Sequence, residues 1–144
     1  RDGGYALGII VRGNHRTKGG LGYFFGPSYD HIPGNEETWA KKPNEALLIT
    51  QFGDLGIING RWPIIQSTRP FLHEEWPIPK FGSANPLIPL KAFVREYQQD
   101  SSGELQLIRE SVVDAKDIES LPADSLMGGG AVEIRLSDLL STKR

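Results

Sequence analysis

Apolar and polar positions along this chain form short runs cut by glycine and proline, not long helical stripes. Tyr5–Arg12 (YALGIIVR) has β-branched residues at its centre and reads as a strand. The polar, basic, glycine-rich stretch Gly13–Gly20 follows as a loop. Leu21–Phe25 (LGYFF) reads as the returning strand, stopped by Gly26-Pro27. Ser28–Pro43 is irregular. Within it, Asn35 ahead of Glu36-Glu37-Thr38-Trp39-Ala40-Lys41 combines a cap, early acids and a late lysine, which predicts one helical turn. Ala46–Phe52 (ALLITQF) is an apolar run bounded by turn formers and is the expected central strand.

Gly53–Phe81 is the most informative stretch. Asn59-Gly60 stands between the apolar runs LGII and RWPII, and Asn-Gly suits a type I′ turn, so a β-hairpin is predicted over 54–66. Pro63 has no N–H for a ladder and puts that hairpin at an edge or bulge. Ser67–Pro89 is punctuated by Pro70, Pro77, Pro79, Pro86 and Pro89, which favours extended backbone outside any central strand. Most aromatic rings are expected in the core. Phe71 and Trp76, inside the proline-rich segment, are read first as pins holding it down and second as anchors for a partner.

Lys91–Gln99 and Glu104–Val113 flank Asp100-Ser101-Ser102-Gly103 and predict a second, longer hairpin. Ala115–Leu121 follows as a short helix capped by Asp114. After the turn Gly128-Gly129-Gly130, Ala131–Leu136 alternates like a strand, while Leu136–Leu140 alternatively begins a terminal helical turn. No repeat or composition boundary divides the chain, so one domain over residues 1–144 is expected. The fold class is mainly β: a single antiparallel curved sheet or small barrel of about six to eight strands, with two or three short helices.

The chain has no cysteine, which excludes disulfides and thiolate chemistry and fits a reducing cytoplasm. It begins at Arg1, shows no signal peptide, and has no apolar run near the ~18 residues of a membrane span. A cytoplasmic protein with no membrane partner is the expectation. The net charge of −2 argues against a nucleic-acid partner. Its distribution is uneven: residues 96–138 hold three basic residues (Arg109, Lys116, Arg135) against ten acidic ones, a net charge of −7. A solvated acidic face is one reading, and a docking surface for a basic protein is the other.

Candidate chemistry is sparse. Gly19-Gly20-Leu21-Gly22 precedes an aromatic strand instead of a helix, so it is not a nucleotide-binding fingerprint; turn glycines in a curved sheet are the expectation. His15, His31 and His73 fall in separate loops without ligand spacing, so neither a metal nor another cofactor is expected. Glu74 and Glu75 are adjacent in an extended segment and point to opposite sides, which does not suit paired acid–base work.

The runs Ile57-Ile58, Gly60-Arg61-Trp62-Pro63-Ile64-Ile65, Trp76-Pro77 and Pro79-Lys80-Phe81 resemble bacterial immunity protein 26. The opening Gly4-Tyr5-Ala6-Leu7-Gly8-Ile9-Ile10 is similar to that family's first strand. The resemblance spans roughly residues 4–110, without the irregular 27–43 or the acidic part after Gln99. It implies a β-rich, non-enzymatic protein of polymorphic toxin and contact-dependent growth inhibition systems, and it supplies no catalytic residues.

With the acidic segment, the resemblance suggests that the chain binds and neutralises a cognate toxin C-terminal domain, as a monomer in a one-to-one complex. Nucleases are one class of such toxins, and their substrate grooves are basic. The residues expected to make the contact are Asp100, Glu104, Glu110, Asp114, Asp117 and Glu119, followed by Glu74 and Glu75. Two alternatives come from other classes. One is a small β-barrel ligand binder or enzyme using the three histidines. The other is an adaptor domain of a secretion or phage-like assembly.

Overall fold

The computed structural model describes residues 4–14, 19–34, 40–53, 55–58, 60–63, 65, 73–85, 87–101 and 104–142. Strand β1 (Tyr5–Asn14) pairs antiparallel with β2 (Gly19–Tyr29), with Gly8 opposite Phe24 and Ile9 opposite Tyr23. On its other side β2 pairs with β3 (Leu48–Gly53). The far edge of β3 takes a two-residue parallel strand near the end of the chain, β7 (Leu126–Met127), completing a four-stranded sheet in the order β1-β2-β3-β7. A second, antiparallel sheet is built from β4 (Phe81–Ala84), β5 (Lys91–Gln99) and β6 (Leu105–Asp114). Helix α1 (Leu55–Ile58) is a single turn, and α2 (Gly129–Thr142) is the long one. Short 3-10 turns occupy Pro43–Glu45, His73–Glu75 and Ala115–Ile118.

Every residue of Leu21–Phe25 is buried because β2 is covered on both faces. Leu21, Tyr23 and Phe25 point into one core with Val11, Trp76 and Phe81, and Tyr97 and Leu105 of the second sheet pack against it. Phe24 points the other way, into a core with Phe52, Val132 and Leu136, to which Trp62, Met127 and Leu140 add. The result is three layers: second sheet, first sheet, α2. The Phe24 ring lies over two strand glycines. A Cβ on Gly8 would come within 2.7 Å of it and one on Gly22 within 2.8 Å. These glycines make room for a ring lying on the sheet.

The mainly β class holds, but the single sheet or barrel does not. Two sheets form and, among the described residues, neither closes. A barrel wall has one apolar face, whereas β2 has two. The hairpin over 54–66 is also corrected. Leu55–Ile58 is helical, the Gly60 N–H closes back on the Ile57 carbonyl at 3.2 Å, and Gly60 takes φ +80°. The glycine ends a helical turn, and the apolar residues meant for a hairpin, Ile57 and Trp62, go to the α2 core instead.

Residues 131–136 belong to α2, not to a strand. Val132, Leu136 and Leu140 share one helical face, and Ile134, which a strand would place beside Val132, is 68% exposed. Among the described residues the helical content is therefore one long and one very short helix plus 3-10 turns. Strand β2 does not stop at Gly26-Pro27; it runs on to Tyr29 through a cis peptide and a register shift against β1. The β5–β6 hairpin is as expected, with a bulge between Glu96 and Tyr97. Asp114 sits at the N-cap of the turn after β6 but makes no capping hydrogen bond. The turn expected after Asn35 lies outside the described residues.

Candidate functional site

The polar side chains that come together do so mainly as internal fastenings. After β6 the chain follows the edge of β4: the Gly82 N–H donates to the Pro122 carbonyl at 2.9 Å, and the Asp124 N–H donates to the Gly82 carbonyl at 2.8 Å. The chain then enters β7 beside β3, so this connector is a seam between the sheets. The Asp124 carboxylate, 7% exposed, accepts from Arg95 Nη1 at 3.0 Å, from the Tyr97 hydroxyl at 2.8 Å and from Gln51 Nε2 at 3.4 Å. Arg95 Nε donates to Glu110 at 2.7 Å. Burial, reinforced by the Asp124 hydrogen bond, pushes the Tyr97 hydroxyl up to about 12, and the carboxylate partners Glu110 and Asp124 raise Arg95. A carboxylate with three donors and a tyrosine that holds its proton suit a structural clasp better than proton transfer.

The two tryptophans of the proline-rich stretch are fastenings too. The Trp62 ring stands 5.9 Å from Phe24 and 5.5 Å from Phe52, and its Nε1 donates to Glu133 of α2 at 2.9 Å. Arg61 pairs with the other oxygen of the same carboxylate. Gly60-Arg61-Trp62 therefore clamps the helix to the sheet. The Trp76 ring stands edge-on to Tyr23 at 5.3 Å and to Phe25 at 6.0 Å. Its carbonyl accepts from Arg12 Nη1 at 3.0 Å, and the Tyr23 hydroxyl donates to the Pro77 carbonyl at 2.5 Å. Burial raises the Tyr23 hydroxyl and lowers the Arg12 guanidinium, each opposed by the charge of the other. Trp76 is the pin expected from sequence, and Phe71 lies outside the described residues.

The acidic candidates fall in two places. Asp100, Glu104, Glu110, Asp114, Asp117 and Glu119 lie along the β5–β6 hairpin and the turn after it, spread over roughly 30 Å at strand rise. Three of them have internal work. Asp100 accepts from the Glu104 N–H at 3.0 Å and from Gln106 at 2.9 Å, holding the hairpin end. Glu110 is tied to Arg95, and Asp114 to Lys91 at 2.7 Å, a contact that raises the lysine. Asp117 and Glu119 are exposed and, among the described residues, make no ion pair. Glu74 and Glu75 sit exposed on the turn before Trp76.

Sequence reasoning missed Asp124, Arg95, Tyr97 and Glu133. Their partners lie 15 to 73 residues away, and no local pattern marks them. His31 is exposed, His73 opens the turn at 73–75, and His15 lies outside the described residues. No group of three His, Cys, Asp or Glu suited to a metal occurs among the described residues, and no helix among them is long and apolar enough to cross a membrane.

The model of the family described as Immunity protein 26 matches residues 1–90. That stretch holds β1–β4 and both tryptophan fastenings. No curated protein and no solved structure matches the chain.

Proposed function

This chain belongs to the immunity protein 26 family, and on that premise we propose that it binds a cognate bacterial toxin domain and neutralises it by covering the toxin's active site. The family implies an immunity protein with a protein toxin as partner. The observation that carries the proposal is the family match, which spans well over half of the chain. We place the protein in the cytoplasm of the protected cell, as a monomer in a one-to-one complex within a polymorphic toxin or contact-dependent growth inhibition system. It acts by occupancy, not by catalysis.

For the contact surface we propose the acidic hairpin and its following turn, with Asp117 and Glu119 as exposed charges and Glu104 as a half-buried one. Asp100, Glu110 and Asp114 contribute from within their internal ties, and Glu74 and Glu75 form a secondary patch. A basic toxin surface, such as the substrate groove of a nuclease, suits this surface and gains electrostatically steered association.

The test is titration calorimetry against the purified toxin domain encoded beside this gene, over a series of salt concentrations. The expected result is a one-to-one complex that weakens with salt and blocks the toxin's activity. Charge reversal at Glu104, Asp117 and Glu119 weakens it further. Reversal at Glu110 or Asp114 is less informative, because it also breaks Arg95 or Lys91 pairs. Failure of the parent protein to bind the toxin would overturn the reading.

A further inference from the structure

Between β4 and β5 the chain turns through Leu87-Ile88-Pro89-Leu90, four consecutive apolar residues, all exposed. Leu87 is 88% exposed and Leu90 82%. Such a run on a surface is a fault in folding terms unless something uses it. The turn is well fastened. The Leu87 N–H donates to Asn85 Oδ1 at 3.1 Å, the Lys91 N–H to the Ile88 carbonyl at 3.3 Å, and the Ala115 N–H to the Leu90 carbonyl at 2.8 Å.

Leu90 has φ +68°, a left-handed conformation that favours glycine or asparagine over leucine. Its side chain points into solvent, so the strain holds no core contact in place. The Ala115 N–H holds the Leu90 carbonyl, and this leaves a large apolar side chain turned outward on a strained backbone, the kind of outlier that clusters at functional sites.

The surroundings of the tip indicate its partner. Asp114, paired with Lys91, stands next to Leu90, and Asp117 acts on the same lysine. Glu119 closes the turn that begins at Ala115. Val112, two residues back along β6, is also exposed. Three carboxylates against Lys91 and Lys116 do not suit an anionic membrane surface. A symmetric pair of copies meeting tip to tip would set the same carboxylates against each other. An apolar pocket with a basic rim on another protein meets neither objection.

We propose that the Leu87–Leu90 tip is a knob that enters an apolar pocket of the toxin domain, with Asp117 and Glu119 facing lysines or arginines on the pocket rim. The inference rests on the immunity reading above and adds the anchor to it.

The experiment measures association and dissociation rates against the purified toxin domain for the parent, Leu87→Ser, Leu90→Gly and the pair Asp117→Lys, Glu119→Lys. Leu90→Gly relieves the left-handed strain, so the fold is kept and loss of binding is not loss of structure. The expected result is binding weakened by roughly tenfold or more in each tip variant, through faster dissociation and with the salt dependence unchanged. The charge pair slows association and lessens the salt dependence. Parental affinity in both tip variants would overturn the knob and leave the immunity reading standing. Absence of binding by the parent would overturn the immunity reading first. A dimer of the chain alone that the tip variants dissolve would overturn the toxin pocket in favour of a self-interface.

Discussion

Trp62 and Trp76 sit on opposite faces of one strand, Trp62 against Phe24 and Trp76 against Phe25, its neighbour in β2. Trp62 stands on the α2 side of the first sheet and Trp76 on the side of the second sheet. The residues that most resemble the family motif therefore hold the fold together, each through its ring and a hydrogen bond beside it.

Removing either ring empties a different core. Trp62→Ala and Trp76→Ala are each expected to cost about 3–5 kcal/mol, a large part of a total near 5–15 kcal/mol. The milder pair Trp62→Phe and Trp76→Phe should add within about 0.5 kcal/mol, because the two rings share no core partner. Urea unfolding of the four-member cycle measures this. Strong coupling would mean that the sheet transmits strain between its faces.

Asp124 is the buried acceptor of the seam between the sheets. Asp124→Ala leaves Arg95 and Tyr97 without their acceptor and is expected to cost about 3–5 kcal/mol. Asp124→Asn keeps an acceptor and should cost less. Amide exchange should show β4, β5 and β7 losing protection before β1 and β2. Equal loss across both sheets would argue against a local seam.

Tyr97 gives a pH dependence whose sign is fixed. Its hydroxyl stands at about 12 in the folded chain against 10.0 unfolded, so the folded state holds the proton more tightly. The resulting stabilisation is complete below pH 10.0 and is lost as pH rises towards 12. Unfolding free energy should fall through that window, and Tyr97→Phe should flatten the fall. Some slope should remain, because Tyr23 is raised in the same direction. An unchanged slope in Tyr97→Phe would place the alkaline sensitivity elsewhere.

Gly22 is expected to resist the smallest substitution. A Cβ there meets the Phe24 ring at 2.8 Å and the Phe52 ring at 3.1 Å. Gly22→Ala should cost about 1–3 kcal/mol by overpacking, whereas Gly130→Ala in α2, with open space around its Cβ, should not. Thermal melts of the two variants compare them directly.

The strands were legible where the chain alternates or runs apolar between turn formers. Tyr5–Arg12, Leu21–Phe25, residues 48–52 of the expected Ala46–Phe52, and both arms of the long hairpin but for Glu104 lie in strands of the structure. The pinning role of Trp76 was legible as well, because a large ring in an irregular segment needs a wall. Helix α2 was not, since Val132 and Leu136 stand four apart, a spacing shared by helix and strand periods. The turn signal was real at Gly60 but follows a helical turn, because Ile57 and Trp62 pack against the core of Phe24 and Phe52 instead of against each other across a hairpin. The acidic residues could be counted from sequence, but their pairing with Arg95, Lys91 and Arg61 is a property of the fold. Leu90 looks ordinary in sequence, and only its backbone angle marks it.

The clamp from Trp62 to Glu133 reaches across 71 residues, and β7 joins β3 across a similar span. During synthesis, a nascent chain that has emerged only as far as Leu90 has β1–β3 and the Trp62 ring, but lacks Val132 and Leu136 of α2 over Phe24 and Phe52. That apolar face stays half covered until α2 leaves the ribosome. A folded immunity protein thus waits for α2, and a message cut short before it yields a client for chaperones and proteases.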